Sequence, residues 1–466
     1  MRKLSQKITG VFSDKNSLRA KILASVGLST IVFIFQLIGR IVSTVILTRI
    51  LAPDIFGVFA VVITFIYILE MFSDLGVRSL ILTKEDDLDD SFLRSCWTAQ
   101  ILRGVLIFVV CALLAAGVGW AQNTTFFPLG SSYSNPTVPV AIAAIGIGSI
   151  INGFASPAKF IYEREMKFRA VSIENLIVML STTVITIFLA LWLRNVWALV
   201  AGGLLGACIT LILSYTMFKG PKMRLNWSVA DFKIIIARGK WIIGHSALTA
   251  LMTVADRLIL GFAMSASSFG FYYIARQIVG LIEQFLDSIH AQMGLQVFTA
   301  LQKDTEIAAF RRRYYQYRIL FDGLSMLGAG TLLTFAPTFV SIIYDDRYAS
   351  TAVMIQILAL GLILVGPGLL REAYSAQRKF REMTLLSLVR TTTIWIGLLI
   401  AEVVLDSTTI ALFVVALHRI PETTILLMMG RSESWVDWIY ELRLLPLVPV
   451  GAAIGWGMAF AWEHLV

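Results

Sequence analysis

The 466-residue sequence has few charged residues, few cysteines and few histidines. Charged residues make up 15% of the chain, against roughly 25% in a soluble domain. The three cysteines lie in apolar surroundings and are too few for a disulfide framework or a metal cluster. The phosphate-binding loop and the HExxH and CxxC motifs of soluble enzymes are also missing. We therefore expect no catalytic residues, no metal and no cofactor, and no enzyme activity.

Long apolar runs dominate the chain, and hydrophobic residues make up 57% of it. Each run is long enough to cross about 30 Å of hydrocarbon as a helix. This pattern predicts an all-α polytopic membrane protein with 12 to 14 transmembrane helices. Thirteen spans are predicted, at residues 22–48, 55–83, 98–121, 137–156, 171–193, 196–218, 240–264, 268–299, 316–343, 352–371, 384–404, 408–430 and 444–462.

The basic residues are distributed unevenly, and the net charge is +9. Most of the 39 lysines and arginines fall in the N-terminal tail and in every second connection, with Arg318, Arg371 and Arg390 counted among them. This asymmetry places the N-terminus in the cytoplasm. The positive charge then faces anionic membrane lipid, and no nucleic acid partner is needed.

The two halves of the sequence resemble each other at an offset of 213 residues. An ordered series of matches at a nearly constant offset indicates a duplication. Two six-helix halves in parallel orientation around a central cavity are typical of transporters. At this offset Phe56-Gly57 matches Phe269-Gly270, Glu70 matches Glu283, and Asp74 matches Asp287.

This repeat divides the chain into five predicted segments. Two of them are six-helix lobes, and the other three flank or join the lobes. The segments are a basic cytoplasmic tail (1–21), an N-terminal lobe (22–218), a basic linker (219–239), a C-terminal lobe (240–430) and an extra helix region (431–466).

Arginines occur inside the apolar runs. Arg40 interrupts the first run, and Gln36 lies on the same helical face. A charge within a span costs at least about 2.5–3.5 kcal/mol, so it usually faces an interior cavity. The first two helices of the second half carry a related set, and together these residues predict a cationic cavity for a phosphate-bearing ligand. That set is Thr253, Asp256, Arg257 and Arg276.

Two alternatives concern these charged residues. Each arginine could instead be paired internally, Arg257 with Asp256 for example, and fix helix packing. The repeated acidic pairs Glu70/Asp74 and Glu283/Asp287 could couple transport to protons or cations, or could form structural salt bridges at a gate.

Two motifs point to a known family. Leu51-Ala52-Pro53-x-x-Phe56-Gly57 and Phe72-Ser73-Asp74-Leu75-Gly76 resemble the N-terminal signature of Wzx-type polysaccharide flippases of the MOP superfamily, with closest similarity to the exopolysaccharide exporters. This resemblance implies transport of an oligosaccharide repeat unit on undecaprenyl pyrophosphate across the cytoplasmic membrane. It implies alternating access, coupling to H⁺ or Na⁺, and a polysaccharide polymerase and co-polymerase as partners.

Two other functions fit a polytopic chain less well. A cation-coupled drug antiporter of the same fold would prefer acidic to basic residues in its cavity. A membrane glycan polymerase would normally need a substantial outer loop, and the longest outer connection here is the short segment 122–136. We therefore expect a flippase that performs no covalent chemistry.

Overall fold

The computed structural model describes residues 18–84, 88–128, 130–301, 307–377 and 379–465. Within these ranges the chain forms helices and no β-strand. The predicted all-α architecture is therefore confirmed. Most of the basic tail predicted over residues 1–21 lies outside the described residues.

The helices of the N-terminal part lie where the apolar runs predict them. They are α1 (Leu18–Ile50), α2 (Pro53–Phe72), α3 (Val77–Thr83), α4 (Asp90–Gln122), α5 (Thr137–Gly153), α6 (Ala158–Arg164), α7 (Phe168–Leu193), α8 (Val196–Thr216) and α9 (Val229–Ala263).

The C-terminal part continues the same pattern. Its helices are α10 (Ala266–Leu301), α11 (Ile307–Ile343), α12 (Thr351–Ala359), α13 (Leu369–Ala376), α14 (Phe380–Leu399), α15 (Thr408–Leu417), α16 (Ile420–Ser432), α17 (Trp438–Leu442) and α18 (Leu447–Leu465).

Among the described residues, nine helices are long and apolar enough to cross a membrane. A tenth crossing results if α5 and α6, which meet at an angle of 63°, form one bent span. Three further long helices, α1, α10 and α18, coincide with predicted spans but are not among these nine helices. The total of thirteen crossings therefore stays a prediction.

The chain folds as two compact units. The first runs up to Leu51 and continues with Val62–Thr124 and Pro136–Ala250. The second contains Ala52–Val61, Thr125–Asn135 and the chain from Leu251 onward. Each unit contains charged residues of the predicted sites.

One predicted span, 55–83, is two helices rather than one. The chain leaves the helical path after Phe72 and resumes it at Val77. Asp74 Oδ1 accepts a hydrogen bond from the Gly76 backbone N–H at 2.9 Å, and Gly76 has a φ of +63°. The aspartate turn thus separates the two helices, and the left-handed Gly76 is the N-cap of α3.

Two helices begin before the predicted spans 98–121 and 240–264, because polar caps precede the apolar runs. Asp89 accepts a hydrogen bond from the Phe92 N–H at 2.6 Å, so α4 begins at Asp90. Ser228 accepts one from the Asp231 N–H at 3.3 Å, so α9 begins at Val229. Side-chain oxygens in this position satisfy the free N–H groups of the first turn. The second half of the segment predicted as a linker (219–239) is thus helical.

Two GxxxG motifs bring helices close together. A side chain added at Gly202 or Gly206 of α8 would strike Thr186 or Thr182 of α7. The second motif, Gly451-x-x-x-Gly455 in α18, packs in the same way against the backbone of α11. Small residues permit this close backbone approach within a bilayer.

The repeat is visible in one reciprocal backbone contact within the second unit. A β-carbon at Gly57 would collide with the carbonyl of Ala266, and one at Gly270 would collide with the carbonyl of Pro53. Pro53 and Ala266 are separated by the same 213 residues as Gly57 and Gly270. The duplicated helices α2 and α10 therefore meet through equivalent positions, as expected for a two-fold relation.

We predict that Gly57→Ala and Gly270→Ala each lower the apparent unfolding temperature in detergent. The added methyl meets backbone atoms, and such overpacking typically costs about 1–3 kcal/mol. Gly203→Ala is the matched control, since a β-carbon there meets nothing within 4 Å. It should leave the unfolding temperature unchanged or raise it. Full stability of the Gly57→Ala variant would contradict the contact.

Candidate functional site

A network of ion pairs in the second unit is centred on Arg276 of α10. Arg276 Nε lies 3.6 Å from Asp256 Oδ2 on α9, and Arg276 Nη1 lies 2.9 Å from Glu283 Oε2. The Tyr272 hydroxyl donates a further hydrogen bond to Asp256 Oδ2. Buried charges need partners of this kind because desolvation is costly. The structure thus brings together three predicted site residues: Asp256, Arg276 and Glu283.

Three more arginines extend this arrangement. Arg419 Nη2 lies 3.9 Å from Glu283 Oε2, while Arg371 Nη2 and Arg390 Nε lie 3.0 and 3.9 Å from the two carboxylate oxygens of Glu422. Glu422 is 4% exposed, so its carboxylate depends on these cations. These pairs form two clusters, one around Arg276 and one around Glu422, and we call their seven residues together the ionic network: Asp256, Arg276, Glu283, Arg371, Arg390, Arg419 and Glu422.

A cavity of about 290 Å³ adjoins the ionic network. Arg371, Arg390, Arg419 and Glu422 line it, together with Asp287 of α10 and two further titratable side chains, Glu372 and His290.

One wall of this cavity has a free hydrogen-bonding group. His290 is 4% exposed, and its Nε2 has no hydrogen-bond partner among the described residues. A cavity walled by both cations and carboxylates can bind a charged group or exchange ions. The described residues contain no group of three or more His, Cys, Asp or Glu arranged to hold a metal.

Asp256 does not form the suggested ion pair with Arg257, and its ion-pair partner is Arg276. The Asp256 carboxylate interacts with the side chains of Arg276 and Tyr272, whereas only the backbone N–H of Arg257 donates to it, at 2.8 Å. Arg257 is half-buried, and Thr253, one turn earlier, has an exposed side chain. The Arg257 side chain is therefore placed outside the Asp256 ion pair.

Arg40 and Gln36 lie on α1, in the first unit. The Arg40 side chain is exposed, and Gln36 is half-buried. The Arg40 carbonyl accepts a hydrogen bond from Thr44 Oγ1 at 2.9 Å, and α1 is helical on both sides of this position. The polar face predicted for this helix is thus built on regular helical geometry.

The first acidic pair has different surroundings from its repeat counterpart. Asp74 Oδ2 accepts a hydrogen bond from Ser246 Oγ at 3.3 Å, while its Oδ1 closes the turn after α2. Glu70 is half-buried, and its carbonyl accepts from Arg103 Nη2 at 2.7 Å. Asp74 therefore has an evident structural task. Glu283 instead joins the ionic network, and Asp287 faces the cavity.

Several residues of the network are not recognisable from the sequence as site residues. The distribution of basic residues in the sequence assigns Arg371 and Arg390 to an inner connection. The structure instead pairs both with Glu422. Arg419 and Glu422 flank Pro421 at the start of α16. Two charges next to a proline within an apolar run are the sequence feature that could have identified Arg419 and Glu422 as site residues.

Arg318, which the sequence also places among the cations of an inner connection, is another buried and paired arginine. It is 2% exposed and pairs with Asp322 at 2.7 Å and with Glu441 at 2.8 Å. Burial raises the pKa of Glu441, which lies on the short helix α17 outside the spans. Arg318 therefore anchors α17 to α11 rather than facing cytoplasmic water.

We predict a strong energetic coupling between Arg276 and Glu283. Replacing both by glutamine, singly and together, gives a double-mutant cycle whose interaction energy should be about 1–3 kcal/mol. The ion pair of Arg78 and Glu163 is the control, because Arg78 is 63% exposed and solvent should reduce its coupling to below about 1 kcal/mol. Unfolding of the purified variants provides the measurement. Additive effects at Arg276 and Glu283 would contradict the network.

Comparison with known proteins gives the family. Residues 46–353 match the family model described as polysaccharide biosynthesis protein, which is more than half of the chain. The lipopolysaccharide biosynthesis protein WzxC of Escherichia coli (strain K12) is 20% identical over 343 residues, covering 73% of this chain and 67% of that protein.

Two solved structures share the fold. The lipid II flippase MurJ in an inward closed conformation has a TM-score of 0.64 at 12% identity, covering 94% of this chain and all of that one. An inward-facing multidrug resistance MATE family transporter of the MOP superfamily has a TM-score of 0.65 at 14% identity, covering 85% and 94%. The resemblance stated from the sequence motifs is confirmed. The chain belongs to the polysaccharide biosynthesis protein family and has the fold of the MOP-superfamily transporters.

Proposed function

We propose that this protein moves undecaprenyl-pyrophosphate-linked oligosaccharide repeat units from the cytoplasmic to the outer leaflet of the bacterial inner membrane. Membership of a polysaccharide biosynthesis family, on a transporter fold, is the observation that carries this proposal. The names of WzxC and of MurJ, a lipid II flippase, support the same substrate class. The product would serve exopolysaccharide or lipopolysaccharide synthesis.

The chemistry of the substrate explains the need for arginines within spans. A pyrophosphate and a string of sugars cannot enter hydrocarbon unaided, since charged and polar groups are costly there. The planar guanidinium group binds phosphate oxygens through two parallel hydrogen bonds. We assign this role to Arg40, Arg257 and Arg276, with Gln36, Thr253 and Asp256 as neighbouring polar groups. The polyprenyl tail would remain in the lipid.

Transport would proceed by alternating access of the two repeats, without covalent chemistry. The polymerase and co-polymerase that consume the repeat unit are proposed partners. The N-terminus would lie in the cytoplasm, as the distribution of lysine and arginine indicates.

Ion coupling would use the cavity of the second unit. Asp287 lines this cavity, and Glu283 belongs to the adjoining ionic network, so a proton or Na⁺ bound there would change the pairing of the arginines. The counterparts Glu70 and Asp74 are weaker candidates, because Asp74 is already hydrogen-bonded within its turn.

We predict that Arg40→Ala and Arg257→Ala each abolish or strongly reduce transport while the protein inserts normally. Losing a charge-assisted contact to the pyrophosphate removes about 1.5–3 kcal/mol of binding. The measurement is complementation of a deletion strain, scored by the lipid-linked repeat units that reach the outer leaflet. Arg347→Ala is the control, because Arg347 is an exposed residue of the short 3₁₀ helix Asp346–Tyr348. Normal transport by both cavity variants would refute the cationic-cavity mechanism.

We predict that Asp287→Asn uncouples transport from its driving ion. In proteoliposomes, the wild type should respond to an imposed H⁺ or Na⁺ gradient, and the Asp287→Asn protein should not. Asp74→Asn, at the repeat-equivalent position, should lower stability but keep the response, because its carboxylate caps a turn. The reverse pattern would move the coupling site to the first half.

A further inference from the structure

A groove of about 450 Å³ lies between the start of α11 and the residues around α17. Three arginines line it: Arg311 and Arg312 from α11, and Arg443 from the end of α17. Tyr315, Tyr440 and Gln316 contribute polar groups beside them. We call this feature the arginine groove. It is separate from the ionic network and from every residue to which the proposed transport assigns a role.

The aromatic side of the arginine groove consists of two tilted tyrosine rings in contact. The rings of Tyr315 and Tyr440 lie 5.0 Å apart, and the Arg443 guanidinium lies 4.4 Å from the centre of the Tyr440 ring. The Tyr315 hydroxyl accepts a hydrogen bond from the Asp437 N–H at 2.7 Å. Cation–π stacking of this kind holds a guanidinium in place while its N–H groups stay available.

A buried ion pair fixes the two helices that form the arginine groove. Arg318, two turns after Arg311 on α11, pairs with Glu441 of α17 at 2.8 Å. Both residues are buried, so the walls are set by an internal contact and need no ligand to form.

The lining has the chemistry of an amphipathic anion site. It contains three arginines and, among the described residues, no carboxylate. Ile319 and Leu444 add apolar surface, and Ile319 is 57% exposed. Arg311 and Arg312 lie at the start of the helical stretch Phe310–Ile343, ahead of the apolar part that can cross a membrane. Phosphates prefer such cations, and acyl chains prefer the adjoining apolar side chains.

We propose that the arginine groove binds the phosphodiester head group of an anionic phospholipid, with its acyl chains along Ile319 and Leu444. This site is independent of the transported substrate. A head group held here would bridge α11 and α17 and thereby stabilise the C-terminal part of the second unit.

The test compares lipids on the purified full-length protein. Native mass spectrometry and the shift in unfolding temperature are recorded with phosphatidylglycerol or cardiolipin, with phosphatidylcholine, and with inorganic pyrophosphate. Arg312→Gln and Arg443→Gln should each weaken anionic-lipid binding about fivefold, taking about 1 kcal/mol per arginine. Arg313→Gln is the matched control, because Arg313 neighbours these residues in sequence and does not line the groove.

The proposal predicts a stabilising shift with anionic lipid that is smaller in both groove variants and unchanged in Arg313→Gln. Three results would overturn it. These are an equal shift with phosphatidylcholine, an equal shift with inorganic pyrophosphate alone, and an equal loss in Arg313→Gln. If a groove variant fails to fold, the wild-type protein alone still shows whether phosphatidylcholine or pyrophosphate gives an equal shift. None of these outcomes bears on transport, which is scored separately.

Discussion

Charges held inside an apolar helix bundle must be paired with one another, and the second unit of this protein is arranged around that requirement. Arg276 lies between Asp256 and Glu283, and Glu422 is held between Arg371 and Arg390. The Arg276 pairs lie within α10 and between α10 and its neighbour α9, whereas the Glu422 pairs join α16 to α13 and α14. They fix the packing of the unit and also leave a charged cavity within it. The same groups can therefore serve both stability and ion binding.

The duplication gives the chain a second organising feature. Gly57 and Gly270 make the same backbone contact in opposite directions, so the repeat detected in the sequence is also a geometric relation between α2 and α10. The charges are not duplicated in the same way. Asp74 caps a turn, whereas its counterpart Asp287 lines a cavity. The glycine contact is thus symmetric, and the surroundings of the two aspartates are not.

Much of the fold could be predicted from the sequence because apolar runs of bilayer length have few alternatives to helices. Each of the thirteen predicted spans is occupied by helical structure. The errors occur where polar contacts override apolar length. The Asp74–Gly76 turn divides one span, and the Ser228 cap starts α9 early. Both the turn and the cap depend on residues close together in the sequence, so both could have been predicted.

The site was less predictable because pairing is a long-range property. The sequence indicated Asp256, Arg276 and Glu283 as charged residues within spans, but it could not show that they meet. Arg318 and Arg371 resembled cytoplasmic cations because each lies close to a basic connection. Their partners, Glu441 and Glu422, are more than fifty residues away along the chain. Only the packing of α11, α13, α16 and α17 reveals these pairs.

The most direct test of this account is a flipping assay with the purified wild-type protein in liposomes. A polyprenyl-pyrophosphate oligosaccharide with a labelled sugar is placed in both leaflets, and the fraction that becomes accessible to an external glycosidase is followed over time. The account predicts that the inner pool becomes accessible much faster with the protein than in protein-free liposomes. Equal rates with and without the protein would contradict it.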